Sequence, residues 1–134
     1  MNQRPAPTAK TFFLIRATMV AGVVAFMAGL WVARGRGQAA VVPSASLTTL
    51  TTVMYTSVGL AAAAIMLLRL RLASSTDEMR RSLSVVGWAV GEFAALFGGV
   101  MFFLTGEWRL VFPGALVFAI ALAAVPLPRD VGRR

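Results

Sequence analysis

The run Leu83-Ser84-Val85-Val86-Gly87-Trp88-Ala89-Val90-Gly91-Glu92-Phe93-Ala94-Ala95-Leu96-Phe97-Gly98-Gly99-Val100-Met101-Phe102-Phe103-Leu104 contains a single ionisable side chain, Glu92, in an otherwise apolar stretch. As a helix, about 20 such residues cross the roughly 30 Å hydrocarbon layer of a bilayer. Comparable stretches lie on either side of it, at about 12–33, 47–68 and 110–127. The pattern predicts an all-α integral membrane protein, with four antiparallel transmembrane helices forming one domain over residues 1–134.

The links fit that reading. Gly35, Gly37 and Pro43 oppose continuous helix between the first two spans. Ser75-Thr76-Asp77-Glu78 is a capping-box pattern, so the third helix is expected to start a turn or two before its apolar run. Thr105-Gly106-Glu107-Trp108-Arg109 is long enough only for a tight antiparallel hairpin. Pro126 and Pro128 stop the last span.

Composition sets the class. With 134 residues, 58% hydrophobic content and a mean hydropathy of +0.78, the chain is too apolar to cover itself with a polar surface. The net charge of +8 would suit nucleic acid, but only 13% of residues are charged and the arginines stand at the ends of apolar runs. They therefore predict topology, and no nucleic-acid partner. Placing both termini in the cytoplasm puts ten basic residues (Arg4, Lys10, Arg16, Arg69, Arg71, Arg80, Arg81, Arg129, Arg133, Arg134) inside and three (Arg34, Arg36, Arg109) outside. Trp31 and Trp108 then share the outer interface, where indoles concentrate. The expected location is a cell membrane, the inner membrane in a bacterium. The first apolar run exceeds the 7–15 residues or so of a secretory signal and reads as a retained helix. The absence of cysteine and histidine excludes disulfides, thiolate or imidazole metal sites and histidine-ligated haem, so no metal or cofactor is expected.

Three constellations stand out. Glu92 is a carboxyl deep in an apolar span, where an ionisable group is either hydrogen-bonded in a neutral form or kept for a function; it is the candidate proton-binding residue. Thr48, Thr52, Thr56 and Ser57 form a polar seam on the second span, whose hydroxyls can bond their own helix carbonyls or meet Glu92 at a similar depth. Gly87, Gly91, Ala95 and Gly99 form a small-residue stripe that lets another backbone approach, within the chain or from a second subunit.

The ten residues Ala89-Val90-Gly91-Glu92-Phe93-Ala94-Ala95-Leu96-Phe97-Gly98 resemble the carboxylate helix of rotary ATPase proteolipid subunits, in which a glutamate precedes an aromatic-glycine pair by a similar distance. What that resemblance implies is that Glu92 can take up a proton. The four-helix plan with one membrane glutamate is similar in architecture to the small multidrug resistance transporters, whose glutamate lies in the first helix rather than the third. No nucleophile and base can be assembled from Lys10 and the serines, so an enzyme is not expected, and the catalytic residues are none. The expected function is a non-catalytic accessory or structural subunit, packing within a larger membrane complex or with copies of itself, and its other partner is the lipid bilayer. The alternative is a proton-coupled small transporter or channel component using Glu92.

Overall fold

The computed structural model describes residues 9–38 and 42–125, and all regular structure within them is helical. Four α-helices follow in chain order: α1 (Ala9–Gly35), α2 (Ser44–Ala73), α3 (Asp77–Thr105) and α4 (Val111–Ala124), the last preceded by a 3-10 turn at Trp108–Leu110. α1, α2 and α3 are each long and apolar enough to cross a membrane, whereas α4 has 14 residues.

Each end has a local cause. Gly37, at φ 76°, closes α1 with the paired bonds Gln38 N–H to Ala33 O and Gly37 N–H to Arg34 O. α2 stops where the hydroxyls of Ser74 and Ser75 donate to Arg71 O. α3 begins after Thr76 in extended conformation, with Asp77 and Glu78 in its first turn, where carboxylates complement the helix dipole. The helix thus starts at the expected place but without the capping-box side-chain bond, because Ser75 has turned back to α2. Gly106, at φ 80°, ends α3 in the left-handed conformation, its N–H on Phe102 O. Pro113 lies in the first turn of α4, where it deprives the helix of no bond.

The fourth apolar helix differs from the expected 110–127. It ends at Ala124, and Val125 is extended (φ −102°, ψ 102°), since a residue preceding proline is driven out of the helical region. Pro126 and Pro128 lie outside the described residues, as do Arg4, Arg129, Arg133 and Arg134.

α3 is the centre of the bundle. Half of its apolar window is buried, against 22% for α2 and 6% for α1. Its glycines explain why. A methyl group built on Gly91 would stand 2.5 Å from Ala121 Cβ and 3.2 Å from Phe118 Cα, and one on Gly87 2.9 Å from Val125. From the other side, a methyl on Gly114 of α4 would collide with the backbone carbonyl of Ala94. α3 and α4 therefore approach backbone to backbone, which side chains at these positions would forbid. α2 packs on both, through Met54, Val58, Ala61 and Ile65 against Ala94, Met101, Val117 and Ala121. α1 lies on the opposite flank, with Val23 against Ala95 and Phe118.

Residue pairs fix the directions. Gly87 neighbours Leu68 and Val125, and Gly98 neighbours Met54 and Leu110, so α2 and α4 run antiparallel to α3. Gly22 meets Glu92 and Met27 meets Gly99, so α1 runs parallel to it. The start of α1 and the end of α4 consequently share one end of the bundle with the α2–α3 turn. The same pairs show that α4 stops level with Leu68 and Gly87, leaving the last turn of α2 and the first turns of α3 to continue past it.

Candidate functional site

Glu92 is half-buried on α3, and its carboxyl faces α1: a methyl on Gly22 would lie 3.9 Å from Oε1. No described residue is hydrogen-bonded or ion-paired to that carboxyl. At 100° per residue, Glu92 lies about 160° around the helix from Val90, which packs against the core cluster that α2 shares with α3 and α4. The two therefore look out of opposite sides of α3.

That placement separates Glu92 from the hydroxyl seam. Thr48, Thr52 and Thr56 are exposed and Ser57 is half-buried, and the Thr52 hydroxyl donates to Thr48 O of its own helix at 2.9 Å. α2 meets α3 through Met54, Val58 and Ile65 instead, so the seam does not serve as the partner of Glu92. Periodicity gave each residue its helix and depth, but not the direction in which the helix would be turned.

The small-residue stripe is divided between two neighbours. Gly87 and Gly91 face α4, Ala95 is buried between α1 and α4, and Gly99 lies under Met27, Leu30 and Phe26 of α1. A second row of small residues, Thr18, Gly22, Ala25 and Gly29, runs along α1 beside Glu92, and every member is exposed. Nothing comes within 4 Å of a methyl built on Gly29. The margin of α1 beside Glu92 is therefore lined by small, exposed residues.

Sequence reading missed two polar clusters, both formed by arginines of α1. Arg16 donates to Leu122 O at 2.6 Å with its guanidinium 5.9 Å from the ring centre of Trp88, and Trp88 Nε1–H donates to Val125 O at 3.1 Å. These donors occupy carbonyls that the last turn of α4 leaves without helix partners, and a cation there also complements the dipole. At the opposite end, Arg34 donates to Phe103 O at 2.6 Å and Phe102 O at 3.2 Å, closing α3, and lies over the Phe102 ring, which stacks on Trp31 at 5.6 Å. The guanidinium rests against Gly106, where a Cβ would collide with it. Arg16 and Arg34 are eighteen residues apart in sequence, about 27 Å along a helix. The one available signal was the shortness of the last apolar run, which leaves a helix end in need of donors.

Among the described residues, no three carboxylates converge into a group able to hold a metal ion. Compared with protein-family models, curated proteins and solved structures, the chain has no match.

Proposed function

We propose that this chain is a multi-pass membrane protein that crosses the bilayer four times with both termini in the cytoplasm, and that it serves as a non-catalytic subunit within a larger membrane assembly. Large apolar side chains exposed on every helix, among them Val24, Leu60, Phe93 and Leu116, support immersion in lipid. α4 with its 3-10 turn extends about 27 Å, close to the thickness of the hydrocarbon layer. Its C-terminal carbonyls meet Arg16 and Trp88, which provides the internal satisfaction that a bilayer demands.

Glu92 carries the functional reading. A carboxyl in hydrocarbon is costly unless bonded, and this one has no partner among the described residues while bordering a row of small, exposed residues on α1. A helix from another chain, offering a hydrogen-bond donor or a cation at that depth, completes the site. Proton transfer has less support, since the seam that would extend a relay lies across α3 from the carboxyl.

Because Glu92 has no bonding partner among the described residues, Glu92→Leu should leave the thermal midpoint of the isolated protein unchanged. In native membranes solubilised in mild detergent, the same substitution should reduce the recovered partner about tenfold, as expected for losing a polar bond of ~1–2 kcal/mol between helices. Glu92→Gln, which keeps a polar group, should lose less. Undiminished recovery with leucine would refute the assignment.

A further inference from the structure

A crevice of about 560 Å³ runs between α2 and α4, from Ala62 and Val117 to Ala73 and the end of α4 at Ala124. Met66, Leu70 and Ala73 wall it on α2, and Ile120 and Ala124 on α4, so its interior is apolar. Arg69 is its one charged lining residue. The levels are set by Gly87, which touches both Leu68 and Val125: Arg69 follows Leu68, so the guanidinium stands at the height where α4 gives out. Arg69 is exposed, and its long stem can lie along the apolar wall while the charge reaches the interface.

We infer that this crevice binds an anionic phospholipid of the surrounding leaflet, one acyl chain lying between α2 and α4 and the phosphate paired with Arg69. Charge selects the occupant. An apolar slot bearing a single guanidinium matches a chain ending in a negative group, and a basic residue between helices on the cytoplasmic side is the usual setting for such headgroups. The orientation that places ten basic residues in the cytoplasm puts Arg69 on that side. This inference rests on the membrane reading above and is independent of Glu92.

The test uses the full chain in detergent, titrated with phosphatidylglycerol or with phosphatidylcholine of identical acyl chains, while native mass spectrometry counts bound lipid. Phosphatidylglycerol should bind more tightly, and Arg69→Gln should weaken it about fivefold, the share one arginine contributes to an anionic lipid surface. Arg71→Gln serves as the control: it lies two residues on, points to another side of α2 and lines a separate hollow with Ser74, Met79 and Leu83. It should leave binding unchanged. Ala73→Phe, which fills the crevice, should abolish the preference, and inorganic phosphate should not displace the lipid. Equal binding of the two lipids, or equal losses with Arg69→Gln and Arg71→Gln, would reduce the effect to general surface charge and overturn the site. Binding that appears only after residues 126–134 are deleted would assign the crevice to that segment and overturn it too. A chain that fails to enter phosphatidylglycerol vesicles at all would refute the membrane reading, and this site with it.

Discussion

Replacing Gly114 by leucine is expected to prise α4 from α3 and to cost the fold more than any other single change considered. A Cβ at this position collides with the carbonyl of Ala94 and would lie 3.3 Å from Ala95 Cα, so it meets backbone that no rotamer change can clear. Overpacking a core typically costs 1–3 kcal/mol, and a clash with helix backbone belongs at or above the top of that range. Ala121, fully buried against Gly91, and Phe118 would be drawn away as well, opening the seam that all three core clusters share. Thermal unfolding in detergent should show the midpoint falling steeply, or the protein failing to accumulate. Gly59→Leu supplies the comparison, since nothing lies within 4 Å of a methyl built there and the residue is exposed on α2. A Gly114 variant no less stable than the Gly59 variant would show that the α3–α4 contact is not the close backbone approach described.

Arg16→Met is expected to have the second largest effect. Methionine retains much of the apolar stem but leaves Leu122 O, one of the last-turn carbonyls of α4, without its donor. Losing a hydrogen bond from a charged donor to a buried carbonyl costs about 1.5–3 kcal/mol. The loss should concentrate at one end of the bundle, because Trp88, Phe12, Leu72 and Val125 form the cluster beneath the guanidinium. With Trp31 and Trp108 changed to phenylalanine, the fluorescence of Trp88 should report it as earlier exposure during denaturation. Arg16→Lys should recover part of the stability, as it supplies one donor without the planar face over Trp88. If methionine and lysine behave alike and both match the parent, Arg16 is not holding the end of α4.

These two residues show what the sequence could and could not convey. The long apolar runs disclosed the helices, and α1, α2 and α3 are helical across 12–33, 47–68 and 83–104, each long and apolar enough to cross a membrane. The last helix fell short of 110–127 because the conformational restriction imposed by Pro126 acts one residue upstream, on Val125. How α3 is turned within the bundle was not legible. Its glycines lie at 87, 91, 98 and 99, and three-dimensional packing sends the first three toward α4, or the turn before it, and the last toward α1. Glu92 follows that rotation, and so faces Gly22 instead of the threonines of α2. Arg16 counted only as one of the cytoplasmic charges, because nothing in its own neighbourhood announces that Leu122, over a hundred residues later, lacks a donor.

Glu92 is proposed as one side of a pair that another chain completes, beside a margin of α1 where Thr18, Gly22, Ala25 and Gly29 are all exposed. The most direct measurement of that claim is site-specific photocrosslinking in native membranes, with the probe at Ala25 on the α1 margin and, for comparison, at Leu60 on the outward face of α2. The probe at Ala25 should give one discrete adduct of defined mass that is lost in the Glu92→Leu background, while the probe at Leu60 gives none. Adducts equal at the two positions, or an Ala25 adduct indifferent to the loss of Glu92, would contradict the account.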